Sequence, residues 1–264
     1  MVNGFLIENG LFDTHAHYDD KRFNEDRDEL ISSLFSSGDV YAILNCGCSV
    51  GSSLASVELA KRYKRVYAAV GIHPHNAGKT TEDDLSKIEE LLSHPKVLAL
   101  GEIGLDYHYD FSPRDVQKQV FYKQLEIAKR TGVPVIIHDR EAHADCIEAV
   151  LSYPQVRGVF HSFSGSAETA KLLQKAGWYL SFSGPVTFKD ARKTVEAVAA
   201  TANDRLLVET DSPYLTPVPH RGKRNNSGYV KHIIEKIAEI RGESYEFIET
   251  LTRENAKRFF GIKE

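Results

Sequence analysis

Eight short apolar runs, each set apart from the next by a longer polar stretch, recur from end to end of this 264-residue chain. They cover residues 11–14, 41–46, 66–70, 97–103, 134–138, 158–161, 178–182 and 206–209. Most are apolar throughout, which is the pattern of strands buried on both faces of a parallel sheet. The stretches between them read as helices. Thr80 or Thr81 can cap one that carries Leu85, Ile88, Leu91 and Leu92, with Glu82, Asp83 and Asp84 in its first turn. Ser112 and Pro113 read as an N-cap followed by proline at the first helical position, and Gly132 marks that helix's end. Residues 166–175 and 190–201 repeat the same grammar.

Strands alternating with helices have two common solutions, an open doubly wound sheet or a closed (β/α)8 barrel. No Gly-x-Gly-x-x-Gly or Gly-x-x-x-x-Gly-Lys-Ser/Thr run follows any strand, which weakens the nucleotide-binding open sheet. The expected fold is therefore α/β, a (β/α)8 TIM barrel of about 250 residues. With no linker, repeat or low-complexity tract, residues 1–264 read as one domain. The longest irregular piece, residues 213–226, follows the last strand, and loops of that length are usually functional or disordered.

A net charge of -4 excludes a broadly basic surface, so contact with nucleic acid must be local and transient. No run of about twenty apolar residues exists, so no membrane span is expected. Residues 1–8 lack a basic start and a long apolar core, so they do not read as a leader. Cys46, Cys48 and Cys146 read as reduced, partly buried thiols of a cytoplasmic protein.

Catalytic groups of such a barrel sit where strands end and loops begin. His15 and His17 end the first strand, and residues i and i+2 of a strand point to one side, so both imidazoles can reach one point. His73 and His75 follow the third strand, Glu102 ends the fourth, His138 the fifth and His161 the sixth, while Asp211 follows the eighth. Each has an ordinary use by itself. Glu102 can be a satisfied buried carboxylate, His161 a core histidine, Asp211 a turn residue, and His73 and His75 loop histidines without a role. The case for function rests on the set.

His15, His17, His138, His161, Glu102 and Asp211 are too many ligands for one catalytic zinc, which usually takes three and a water. They suit two cations a few ångströms apart with one carboxylate between them, and Glu102 is the natural bridge. So many imidazoles favour Zn, Mn, Fe, Co or Ni over a pure Mg site.

With these residues in hand, the chain resembles the TatD family of metal-dependent hydrolases, usually described as deoxyribonucleases. The resemblance spans nearly the whole chain. It rests on Phe12-Asp13-Thr14-His15-Ala16-His17, Gly71-Ile72-His73-Pro74-His75, Gly101-Glu102-Ile103-Gly104-Leu105-Asp106-Tyr107, His138 with Arg140, His161-Ser162-Phe163-Ser164-Gly165, Glu209-Thr210-Asp211-Ser212-Pro213-Tyr214-Leu215 and Arg221-Gly222-Lys223-Arg224-Asn225. It implies an amidohydrolase-like barrel with His15, His17 and Asp211 on one metal, His138 and His161 on the other, and Glu102 on both. One departure is Asn226-Ser227-Gly228, where many relatives read Glu-Pro-x, and it bears on the local loop conformation.

The expected function is hydrolysis of phosphodiester bonds, with DNA bound transiently as substrate and two divalent cations (Zn, Mn, Mg, Ni or Co) activating a water to hydroxide. Asp211 is expected to take or relay the proton, and His73 to protonate the leaving oxygen or hold the substrate. Arg140, Arg221, Lys223 and Arg224 are candidates to hold phosphate oxygens, although the last three also read as a solvated basic loop. One rival is a deacylase or other ester or amide hydrolase on the same metals, since one barrel hosts many chemistries. Another is a metal-bearing binding protein, which has no need of an open two-metal centre. No membrane and no obligate protein partner are expected.

Overall fold

The computed structural model describes residues 10–262; the leader-free stretch expected at residues 1–8 lies outside them. Eight strands form one parallel sheet in chain order: β1 (Leu11–Ala16), β2 (Val40–Cys46), β3 (Val66–Val70), β4 (Val97–Asp106), β5 (Val135–Arg140), β6 (Gly158–Phe160), β7 (Tyr179–Phe182) and β8 (Leu206–Val208). Helices α1 (Arg27–Ser36), α2 (Val50–Arg62), α3 (Glu82–Leu91), α4 (Arg114–Thr131), α5 (His143–Leu151), α6 (Ala167–Lys175) and α7 (Arg192–Ala200) fill the crossovers. After β8 come α8 (Val230–Arg241) and α9 (Tyr245–Phe260). No described helix is long and apolar enough to cross a membrane.

The seam between β8 and β1 nearly closes the barrel. Its backbone contacts lie just past β8, where Asp211 N–H donates to His15 O at 2.9 Å and His17 N–H to Ser212 O at 2.7 Å. Below them the fully buried Asp13 carboxylate accepts from Thr210 N–H at 2.8 Å, Thr210 Oγ1 at 2.5 Å and Ser227 Oγ at 2.7 Å. Ser227 N–H also donates to Tyr18 Oη at 2.9 Å. A proline at position 227, as the resemblance would have led one to expect, offers neither donor. Ser227 therefore ties the last loop both to β1, at Asp13, and to the segment just after it, at Tyr18.

Two apolar clusters divide the core. The larger lies between the sheet and the helices. The smaller fills the barrel with Phe12, Leu44, Ala69, Ile136, Val159 and Leu207, and Ala256, Phe259 and Phe260 of α9 cover its base. Phe12 and Phe260 have ring centroids 6.0 Å apart, and Asn255 of α9 donates to Leu206 O at the start of β8. The floor is thus built from the chain's far end.

The strand starts agree with expectation to within a residue, but some ends do not. β4 runs on to Asp106 and β5 to Arg140, because Gly104, Leu105 and Asp106 pair with His138, Asp139 and Arg140. Glu102 therefore lies within β4, at a register shift between Leu100 and Ile103, and not at the strand's end. His161 and Glu209 fall just beyond β6 and β8.

The N-cap of α4 is Pro113, not Ser112. The Ser112 hydroxyl instead accepts from Gly78 N–H at 2.9 Å and donates to His75 O at 3.1 Å, tying the β3 loop to α4. Of the two threonines, Thr81 caps α3, in a capping box with Asp84.

Candidate metal centre

Glu102 is 3% exposed at the floor of a cleft of about 1020 Å³ on the side of the barrel opposite α9. Its two carboxylate oxygens face different partners. Oε2 lies 3.4 Å from His15 Nε2 and 3.7 Å from His17 Nε2. Oε1 lies 2.6 Å from His138 Nδ1, 2.9 Å from His161 Nε2 and 3.5 Å from His73 Nε2. Asp211 Oδ1 completes the first side, 3.3 Å from His17 Nε2 and 3.8 Å from His15 Nε2. All six expected ligands thus converge on one point. The two sides touch as well, since the His15 and His161 rings stack with centroids 4.1 Å apart.

The outward nitrogens are held by other groups. His17 Nδ1 donates to Cys46 O at 2.8 Å, which leaves Nε2 free to ligate. His161 Nδ1 meets Glu209 Oε1 at 3.2 Å, and that oxygen also accepts from Ser162 N–H at 2.7 Å. His138 Nε2 meets Asp106 Oδ2 at 3.1 Å, so Nδ1 turns inward. Asp106 is fixed in turn by His75 Nε2 at 2.8 Å and by the His108 and Tyr109 amides. The exception is His15 Nδ1, which is buried and unpartnered among the described residues.

Imidazole nitrogens gathered round carboxylate oxygens, with His15 and His17 Nε2 only 3.2 Å apart, are a donor set that fits divalent cations once deprotonated. All six of its members fall, with His73, into three overlapping groups able to hold an ion.

Asp106 and Glu209 were not singled out from the sequence. The available signal was weak: an acidic residue at the end of β4 and another just after β8. Their partners lie 32 and 48 residues away. Such outer carboxylates typically contribute about 10–100-fold to metal affinity or activity. Asp106→Asn and Glu209→Gln are each expected to weaken metal retention on that scale while leaving the fold intact. Dialysis against graded chelator followed by metal analysis measures it, and unchanged retention in both variants removes them from the centre.

Charge organises the site. Burial alone would raise the Glu102 carboxyl, but the imidazoles of His161, His73 and His138 outweigh it and hold Glu102 well below the usual carboxylate range. Burial opposes protonation of His161, yet Glu102 and Glu209 lift it well above the ordinary histidine value. His17 is likewise raised against burial, by Cys48 and Asp211. In the metal-free protein these two imidazoles therefore carry protons near neutrality. Cation binding must expel those protons, so affinity is expected to rise with pH, and uptake at pH 7 to release protons. Calorimetry in two buffers of different ionisation enthalpy reads the release, and identical heats in both would contradict it.

The basic candidates separate. Arg140 lines the cleft, with its guanidinium 4.8 Å from the Tyr109 ring centre. Arg221, Lys223 and Arg224, expected together on the substrate, do not line it. Arg224 pairs with Asp26 at 2.5 and 2.8 Å and donates to Arg22 O, a tie between the last loop and the start of α1. Arg221 lies over Phe188, 3.7 Å from its ring centre, in an adjoining groove that shares Pro185 and Thr194 with the cleft, and Lys223 is exposed. Spacing on a loop cannot reveal such distant partners. The three cysteines are unpaired; Cys48 Sγ reaches the centre, 3.8 Å from both His17 Nδ1 and Glu102 Oε2.

Residues 12–261 match the family model described as TatD related DNase. This chain belongs to the TatD family. Among relatives of the TatD-family protein is YabD of Bacillus subtilis (strain 168), described as an uncharacterized metal-dependent hydrolase. It is 46% identical over 254 residues, covering 96% of this chain and 99% of its own. The 3'-5' ssDNA/RNA exonuclease TatD of Escherichia fergusonii is 32% identical over 262 residues, with 96% and 99% covered. In structure, the TatD homolog YJJV from Escherichia coli k12 superposes with a TM-score of 0.90 at 28% identity, over 96% of this chain and 98% of that one. The TatD-family protein is a metal-dependent hydrolase with a His, Glu and Asp cluster able to hold metal.

Proposed function

We propose that the protein is a two-metal phosphodiesterase that cleaves single-stranded nucleic acid, with DNA as substrate. The observation that carries this reading is the division of Glu102, one oxygen toward His15 and His17 and the other toward His138 and His161. A carboxylate so divided suits a bridge between two cations, the arrangement that clamps both oxygens of an in-line displacement. The relative named as a 3'-5' ssDNA/RNA exonuclease supports the choice of substrate.

His15, His17 and Asp211 would hold one cation and His138 with His161 the other, Glu102 serving both. Divalent cations, when bound, make a water more acidic and screen negative charge on a phosphodiester. Asp211 has the place of a proton acceptor: its carboxylate lines the cleft, is only half-buried and is held below the usual carboxylate range, with His17 outweighing burial.

His73 serves as a hydrogen-bond donor. Its Nδ1 already accepts from His75 N–H at 3.1 Å, so Nε2 bears the proton, and burial lowers its pKa to about 4. A neutral imidazole with Nε2–H offers a bond to a phosphoryl oxygen instead of a full proton. Arg140, on the cleft wall, supplies the cation for a neighbouring phosphate.

The test is a substrate screen on protein reconstituted with Mn, Mg or Zn, using labelled single-stranded DNA, RNA, duplex DNA, and ester and amide probes. Stepwise shortening of the single strands is expected. Turnover of the ester or amide probes with intact nucleic acid would replace this reading with a deacylase.

A further inference from the structure

Large aromatic rings are normally withdrawn from water, and single exposures mean little. Here three exposed rings stand round one cleft mouth. Tyr109, Phe111 and Tyr214 are 47%, 68% and 46% exposed, and all line the cleft that holds Glu102. They sit on opposite sides of the metal ligands. Phe111 lies 4.8 Å from His75, on the side of His138 and Asp106, whereas Tyr214 lies 6.1 Å from His17.

Each side pairs a ring with a guanidinium. Tyr109 and Phe111 stack nearly parallel, 23° apart with centroids at 5.2 Å, and Arg140 lies 4.8 Å from the centre of Tyr109. On the other side Arg22 lies 4.0 Å from the centre of Tyr214, whose hydroxyl donates to Asp20 Oδ2 at 3.1 Å.

We propose that Phe111 and Tyr214 are base-stacking platforms, each receiving an unpaired nucleobase while the phosphate between those bases lies over the metal ligands. Flat apolar faces suit any base, because every base has a π-face, and Arg140 on the cleft wall suits a flanking phosphate, whereas Arg22 is held by Asp20 through two bonds of 3.0 Å and serves to pack Tyr214. A duplex hides its base faces inside its own stack, so this arrangement selects unpaired strands. It rests on the single-strand nuclease reading above and adds the residues that enforce it.

The test compares two labelled strands of equal length on the metal-loaded full chain, one with natural bases and one with abasic tetrahydrofuran sugars. Both carry the same phosphates, so only the bases differ. The wild type is expected to favour the natural strand in kcat/KM. Phe111→Ala and Tyr214→Ala should each shrink that preference by about 5- to 150-fold, the worth of one stacked base, while Phe111→Trp and Tyr214→Phe keep it.

Both alanine changes are at exposed positions, and metal content together with circular dichroism verifies the fold. Equal cleavage of both strands by the wild type overturns the platforms and leaves the nuclease reading standing. Cleavage of neither strand overturns the nuclease reading itself and the platforms with it. An alanine variant that sediments as a smaller species with its preference intact makes the rings a subunit contact, and that too overturns the proposal.

Discussion

Glu102→Gln is expected to abolish turnover and, on the two-metal reading proposed above, to reduce bound metal from two ions to one or none. The substituted amide keeps the volume and one acceptor oxygen but presents an NH2 group on the other side. Either the His15 and His17 side or the His138 and His161 side must then face a donor where it now faces an oxygen 2.6 to 3.7 Å away. The loss should therefore exceed the about 10–100-fold typical of an outer carboxylate, so Asp106→Asn is the natural control. Metal analysis of the purified protein and initial rates under saturating Mn decide it. A variant that retains two tightly bound ions and a near-normal rate takes Glu102 out of the centre.

The second large effect concerns the seam. Asp13→Ala removes a fully buried carboxylate that Thr210 and Ser227 address through three hydrogen bonds of 2.5 to 2.8 Å. Hydrogen bonds to charged groups contribute roughly 1.5–3 kcal/mol each, and the stranded donors cannot reach water. A loss of about 3 kcal/mol or more is expected, a fall in Tm of about 6–12 °C for a chain of this size.

Ser227→Ala removes one of these donors, and the acceptor of the Tyr18 hydroxyl with it, and should cost roughly 1.5–3 kcal/mol. Because Asp211 N–H is bonded to His15 O in the same seam, metal affinity should fall along with stability in the Asp13 variant. Thermal melts with and without chelator separate the two effects. An Asp13→Ala protein melting within 2 °C of the wild type would show that the barrel closes without this carboxylate.

Much of the architecture was legible in the chain because fully buried parallel strands leave near-continuous apolar runs that few other structures produce. The convergence of the six candidate ligands was legible for a related reason: barrel chemistry gathers at one end of the strands, so His15, His17, Glu102, His138, His161 and Asp211 each follow or close an apolar run. What escaped depends on register and on contacts across the fold. The extension of β4 to Asp106 is hidden by Gly104, which reads as a turn, yet in the sheet Gly104 is where the chain passes His138. A Cβ there would lie 2.0 Å from His138 O, so no other residue fits without movement. Arg224 reads as one of three neighbouring loop cations, and nothing near it in the chain points to its partner Asp26, 198 residues away. α9 carries the apolar spacing of any surface helix, and nothing local tells that its Phe259 and Phe260 cover the base of the barrel.

That last helix also governs how the molecule can come into being. On a ribosome the chain emerges from its first residues, and His15 and His17 leave the exit long before the partners that complete their site. Until residue 211 is made there is no Asp211 beside His17, and until residue 260 is made Phe12 has no Phe260 against it. The nascent protein therefore carries this pair of imidazoles, and apolar strands without their closing partners, until late in its synthesis. Contacts spanning nearly the whole chain make final closure slow compared with local helix formation. A cell in which free zinc or copper rises during translation would thus challenge this protein at its most exposed moment, before the native competition among ligands exists.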